Sequence, residues 1–231
     1  SDGSISFGTP VVFESGAALE GNSGRISIVH DSNADRVAIF YTDASNSYYG
    51  TAAIGTVDSS DNSISFGTPV VFSSGATYYS ASVFDSNANK TVTAFYDSSD
   101  DGAAIVGTVS GTSISFGTAA DFQTNTPNYI SIAFDSTNNK VVIAHQDSAN
   151  GDGKGEALVG TVSGTSISFG SITEFEQGET RHTATTYDTS NEKIVIAYHD
   201  NGNSAYGTAI VGTVSGTSIS FGPPVVFQSA A

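Results

Sequence analysis

The chain has no cysteine, no methionine and no tryptophan, and seven basic residues stand against 23 acidic ones in 231 positions. Without cysteine, neither disulfides nor thiolate chemistry can contribute, and the redox compartment leaves no mark on the sequence. The formal charge of -16 repels phosphate backbones and anionic bilayers, so no nucleic acid is expected among the partners. That acidity suits solubility in a salty exterior, though plain solubility is the simpler reading and the preferred one. No apolar run approaches the ~20 residues that cross a bilayer as a helix, and membrane insertion is not expected. With no leader pattern and no Met, the chain reads as a processed product or a piece excised from a longer one.

What is present is repetition. Ser-Ile-Ser-Phe-Gly occurs at Ser4–Gly8, Ser63–Gly67, Ser113–Gly117, Ser166–Gly170 and Ser218–Gly222, at intervals of 59, 50, 53 and 52 residues. A period of this size marks a repeat architecture. Residues 1–16 are a fragment of one repeat, and units run over about 17–72, 73–122, 123–175 and 176–227 of a single repeat domain. In Ser4–Phe13 the residues Ile5, Phe7, Val11 and Phe13 share one parity, which predicts a single outer strand. Pro10, Pro69 and Pro224 place that strand at a sheet edge, since proline cannot donate to a ladder. Each unit then repeats an Asp-initiated turn (DSNADR at 31–36, DSNANK at 85–90, DSTNNK at 135–140, DTSNEK at 188–193) between two apolar runs. This is a hairpin, with the Asp as turn former. A third strand opens near Gly50, Gly102, Gly155 and Gly207 and joins the next outer strand through a short SGTS-type turn. Apolar residues on both parities require cover on both faces.

Four antiparallel strands per unit, repeated and covered on both faces, predict an all-β, four-bladed β-propeller of four-stranded blades. Five outer strands against four of every other kind leave one spare. The alternative is a β-solenoid or a slice of a longer repeat array.

Comparison of the units shows where they differ. Six residues before the turn Asp stand Arg25, Tyr79, Tyr129 and His182, and the second strand ends in Thr42, Tyr96, Gln146 and His199. The loops that follow (45–50, 98–102, 148–156 and 201–207) also diverge, whereas the turns at the other end are nearly uniform. One varied face on a uniform scaffold is what a binding platform needs, though loops also drift without function. Candidate ligand-binding residues on it are Arg25, Tyr48, Tyr49, Tyr79, Tyr96, Tyr129, His182, His199 and Tyr206. Amphipathic rings stack on sugars while neighbouring polar groups bond hydroxyls. Aromatics are ordinary strand residues too.

Asp147, Asn150, Asp152 and Glu156 form an oxygen-rich loop suited to calcium, and Asp97, Asp100 and Asp101 a second. Neither matches a calcium-loop pattern, Lys154 interrupts the first, and Asp, Asn and Gly are common turn formers. No other cofactor is indicated. The four histidines show no transition-metal spacing. No nucleophile elbow or phosphate loop is present. A sialidase would need an arginine cluster, and Arg25, Arg36 and Arg181 do not form one by pattern. The expected protein is therefore not an enzyme, with a glycosidase the remote alternative.

The unit consensus, with TVSGTSISFG identical at 108–117, 161–170 and 213–222 and VVIA-type second strands, resembles repeats of tail-fibre and virion structural proteins of marine bacteriophages and of large bacterial surface proteins. That resemblance spans nearly the whole chain. It implies an extracellular, virion or cell-surface β-module and supplies no catalytic residue. The expectation is a lectin-like module for a surface glycan or host-cell receptor. The alternative is a structural protein that self-associates through an edge strand.

Overall fold

A computed structural model describes residues 5–18, 25–99 and 101–229. The described residues form four antiparallel sheets. Blade 1 contains β1 (Ser27–Asp31), β2 (Arg36–Asp43), β3 (Tyr49–Asp58), β4 (Ser63–Phe66) and β5 (Val70–Ala76). Blade 2 contains β6 (Tyr78–Asp85), β7 (Lys90–Tyr96), β8 (Gly102–Ser110), β9 (Ser113–Phe116) and β10 (Ala120–Gln123). Blade 3 contains β11 (Pro127–Asp135), β12 (Lys140–Asp147), β13 (Lys154–Ser163), β14 (Ser166–Phe169) and β15 (Thr173–Glu176). Blade 4 contains β16 (Thr180–Asp188), β17 (Lys193–Asp200), β18 (Tyr206–Ser215), β19 (Ser218–Phe221) and β20 (Val225–Gln228).

The outer strand differs from expectation in one respect: it is broken in two. In blade 1, β4 pairs with the second half of β3 and β5 with the first. Proline is not the cause, because blades 2 and 3 break at the same place with Thr118-Ala119 and Ser171-Ile172. A glycine follows each SISF at the break. Its N–H still bonds the third strand (Gly67 N to Ile54 O, 2.9 Å; Gly117 N to Val106 O, 3.0 Å). On its other side the next blade presses close: a Cβ on Gly67, Gly117 or Gly170 would lie 1.9, 1.9 and 1.8 Å from the carbonyl oxygens of Thr112, Thr165 and Thr217. Only glycine fits there.

The hairpin turns form as the repeated Asp predicts. Asp135 Oδ1 accepts from the N–H groups of Thr137 (3.0 Å) and Asn138 (2.9 Å), and its Oδ2 from Asn138 Nδ2 (2.8 Å). Asp31, Asp85 and Asp188 accept from the matching backbone groups. Asp135 is buried. Asp135→Ala should lower the unfolding free energy by about 1–2 kcal/mol, read from the urea midpoint, because two amides lose their acceptor.

The four blades share an axis. Ser27 of β1, Ser80–Ser82 of β6, Ile130–Ile132 of β11 and Thr183–Thr185 of β16 line one axial groove. Small hydroxyls stitch the inner strands along it: Ser82 N–H donates to Ser27 Oγ at 2.9 Å, and Ser131 Oγ lies 2.7 Å from Thr185 Oγ1. The chain is thus a four-bladed β-propeller and not a linear solenoid.

Its core lies in the seams between blades, in three clusters joining blades 1 and 2, 2 and 3, and 3 and 4. Each seam is built the same way. A phenylalanine of one outer strand packs on an aromatic residue of the next blade's second strand: Phe72 on Phe95 (5.3 Å between ring centroids), Phe122 on His145 (5.5 Å), Phe175 on Tyr198 (5.3 Å). The same phenylalanine meets the next SISF ring, Phe116, Phe169 or Phe221, at 5.7–5.8 Å.

The spare N-terminal copy is not a strand. It lies on blade 1 as though it belonged to a preceding blade. Phe13 packs on Tyr41 (5.2 Å) and Phe66 (5.9 Å), and a Cβ on Gly8 would lie 2.0 Å from the Asn62 carbonyl oxygen. Among the described residues there is no seam between β16 and β1 comparable to those joining β1 to β6, β6 to β11 and β11 to β16.

Candidate functional site

The inner strands enter from the varied face, and each of blades 2–4 starts its inner strand with a register shift. The shifts fall between Tyr78 and Ala81, Asn128 and Ser131, and Arg181 and Ala184. Inside each bulge sits one residue with left-handed backbone: Tyr79 (φ 52°), Tyr129 (φ 51°) and His182 (φ 52°). Such a conformation costs a bulky residue on the order of 1 kcal/mol or more, and a bulge redirects a side chain. Here it turns three rings toward one another. Tyr79 and Tyr129 are 5.4 Å apart by centroid, Tyr129 and His182 4.6 Å, and His182 and His199 6.2 Å. The Arg25 guanidinium lies 5.5 Å over the Tyr79 ring. Four positions equivalent by repeat thus form one continuous run of a cation and π-faces at the mouth of the axis. Partial burial, and then Arg25, His199 and Arg181, hold the His182 pKa below that of an ordinary histidine.

The other candidates are dispersed. Tyr48 and Tyr49 sit in the β2–β3 loop and the start of β3, where Tyr49 pairs with Asp43, and Tyr206 opens β18 opposite Asp200. Tyr96 packs on Tyr78 at 5.7 Å. The Tyr78-Tyr79 doublet was the available signal for that partner.

A polar cleft of about 200 Å³ opens between blades 3 and 4 on the same face, lined by Gln146, Ser148, Gly151, Gly153 and Glu179. Asn128 Nδ2 donates to Ser148 Oγ (2.6 Å), which donates to Gln146 Oε1 (2.9 Å). Arg181 Nε donates to Glu179 Oε1 at 2.7 Å, and Asn201 Nδ2 also donates to Glu179. These bonds hold the Glu179 carboxyl below the usual range. Arg181, which bonds Glu179, precedes His182 in β16, so cleft and ring run adjoin. Glu179 escaped the sequence analysis; its only mark is an acid just before an inner strand.

Two of the four candidate calcium ligands, Asp147 and Glu156, hold protein partners. Asp147 Oδ1 accepts from Ala149 N–H at 2.9 Å, as Asp43, Asp97 and Asp200 do from their own loops. Glu156 accepts from Gln123 Nε2 (3.0 Å) in the seam between blades 2 and 3, and Lys154 pairs with Glu174 at 3.0 Å. Asp152 follows the 3-10 turn Ala149–Gly151. Among the described residues no three acidic or histidine side chains converge as a metal site. Asp100 and the Asn150 side chain lie outside the described residues. Burial, with Asp147 and Glu174 nearby, raises Glu156 to about 7.

No family model and no curated protein matches the chain. Among solved structures, it is similar to AofleA from Arthrobotrys oligospora, solved as a triple arginine-to-alanine mutant, with a TM-score of 0.55 and 8% identity. The match covers 90% of this chain and 58% of that one, so the chain spans well under two thirds of its neighbour's length. The likeness bears on the fold alone.

Proposed function

We propose that the protein is a lectin-like recognition module that binds surface glycans, or a host-cell receptor bearing them, at the mouth of the propeller axis. The observation that carries this reading is the ring run. Arg25, Tyr79, Tyr129 and His182 hold the same place in four repeats and touch one after another, three of them in backbone that costs free energy to hold. Structural repeats alone give no reason to maintain that arrangement.

A pyranose ring stacks its C–H face on Tyr129 and His182, and its hydroxyls reach Glu179, Gln146 and Ser148 in the adjoining cleft. A carboxylate already held ionised accepts from two hydroxyls, and the amide and serine both donate and accept. His182 stays neutral at pH 7 because its pKa is depressed, so binding should weaken as acid charges it. The reading is of binding and not turnover: of the two described carboxylates with a raised pKa, Glu156 is bonded to Gln123 in a seam and Asp200 caps the turn Asn201–Asn203. An extracellular, virion or cell-surface location goes with the glycan ligand.

A glycan array run with calcium and again with EDTA tests this. Saturable binding should appear in both arms and fall about tenfold or more in Tyr129→Ala, the range for losing a central aromatic contact. Tyr206→Ala should leave it unchanged. A blank array, or equal losses in the two variants, would remove the basis for this site.

A further inference from the structure

We infer that the forward face of blade 4, which carries Phe227, docks on the rear face of blade 1 of a second copy of this chain, and that residues 5–18 are a cap competing for that place. The inference is independent of the glycan reading.

The blade 4 face matches the other forward faces and lacks only a cover. Ala38 and Phe40 in blade 1, Val92 and Ala94 in blade 2, and Val142 and Ala144 in blade 3 are fully buried by the following blade. Their counterparts Val195 and Ala197 are half-buried. Val211 is 47% exposed where Val159 is buried, and Phe227 is 65% exposed where Phe175 is 8%. The Phe227 ring still lies over Gly207, as Phe175 lies over Gly155, so the seam element is already in position. Gly222, the counterpart of Gly67, Gly117 and Gly170, meets only the Val211 carbonyl, at 3.9 Å.

The receiving face exists, and the cap shows what fits it. Residues 5–18 reproduce the seam contact by contact. Phe13 takes the Tyr41 and Phe66 rings, Gly8 meets the Asn62 carbonyl, and the Tyr41 hydroxyl donates to Glu14 at 3.0 Å as Tyr198 donates to Glu176 at 3.1 Å. The outer strand of blade 4 and the cap therefore require the same surface and exclude each other. The cap leaves the inner part of that face uncovered, with Ile28 62% exposed and Ile26 46%. A whole blade covers that part too.

The occupant is a second copy and not blade 4 of the same chain. Curvature in a repeat protein follows from the rotation at each seam. Three seams of one geometry leave β16 without a seam on β1, so closure within the chain would have to alter all three. A head-to-tail neighbour alters none, and such contacts build rings or filaments according to whether the rotation closes. A tethered cap acts at an effective concentration on the order of millimolar, which keeps the dilute wild-type chain monomeric.

The test uses sedimentation of the full chain across a concentration series. Gly8→Leu places a side chain against the Asn62 carbonyl and should expel the cap, lowering the concentration at which association begins by about tenfold or more. Phe13→Ser, which removes the plug with no added bulk, should do the same if Gly8→Leu folds poorly. Adding Gly222→Leu, which meets no obstacle in the monomer, should restore the monomer by striking Asn62 of the next copy. Gly8→Leu and Phe13→Ser chains that both stay monomeric overturn the inference, and a smaller frictional ratio would then show closure within one chain. Association that Gly222→Leu leaves untouched overturns it as well, because some other surface would be responsible.

Discussion

Replacing Phe175 by alanine should lower the unfolding free energy by about 3–5 kcal/mol, whereas the same change at Phe227 should cost under about 1 kcal/mol. The two residues occupy the same place in their repeats. Phe175 is buried between Tyr198 and Phe221, with centroids 5.3 and 5.7 Å away, and Phe227 lies on the uncovered face of blade 4. Truncation at Phe175 removes the ring from water-free contact on both sides and opens a cavity in a seam that cannot easily collapse, because the backbones are held by Gly170 against Thr217. Truncation at Phe227 removes a ring that solvent already reaches. Each blade contacts chiefly its neighbours, so the Phe175 variant should also broaden the urea transition as blade 4 uncouples from blade 3. Equal losses at the two positions would mean that the blade 4 face is covered in solution. In a wild-type monomer that result would contradict the open seam between β16 and β1.

His145→Phe should stabilise the protein at pH 7 by about 1–2 kcal/mol and more strongly at pH 4. His145 is fully buried in the seam between blades 2 and 3, stacked on Phe122 at an interplanar angle of 27°. Neither ring nitrogen has a hydrogen bond of ordinary geometry, and the Gln146 backbone supplies only a weak electrostatic contact. Blades 1, 2 and 4 place Tyr41, Phe95 and Tyr198 at this position, so the seam accommodates a six-membered ring.

Burial depresses the His145 pKa to about 4. An unfolded histidine takes its proton near 6.5, so between pH 6.5 and 4 the unfolded chain binds more protons than the folded one. Stability is therefore lost as pH falls through that window, by up to roughly 3 kcal/mol from this group alone. Glu156 acts in the opposite direction. Its carboxyl is raised to about 7, so the folded chain holds a proton that the unfolded chain releases near 4.5, and stability is lost as pH rises from 4.5 to 7. The two residues are cross-strand partners in β12 and β13. In the wild type their slopes partly cancel. His145→Phe should leave the Glu156 slope, so that the gain over wild type shrinks steadily from pH 4 to 7. Glu156→Gln should leave the His145 slope. Urea midpoints of the three chains between pH 4 and 7 give the result, and a His145→Phe profile parallel to wild type would dismiss the buried neutral histidine.

Much of this fold was legible in the residues themselves, because its local rules operate over short distances. The turn Asp binds amides two and three residues on, parity assigns each strand its two faces, and a 50-residue period states that one unit is stacked several times. From these followed the blades, their hairpins and the uniform and varied faces. The positions of Arg25, Tyr79, Tyr129 and His182 also followed, since equivalence within a repeat places them at one end of the inner strands.

The tertiary structure decided what depends on contact between units. Nothing local distinguishes Tyr129, turned by a bulge into the ring run, from Tyr206 at the start of β18. Glu179 enters the site only because blade 4 packs beside blade 3. The outer strand, read from its parity as one, is broken in every blade, and in blades 1–3 the glycine at the break faces a carbonyl oxygen of the next blade less than 2 Å from where a Cβ would stand. Five copies of one outer segment are nearly interchangeable in sequence. One becomes a cap, three become seams and one remains exposed, because burial is a property of the neighbour and not of the segment.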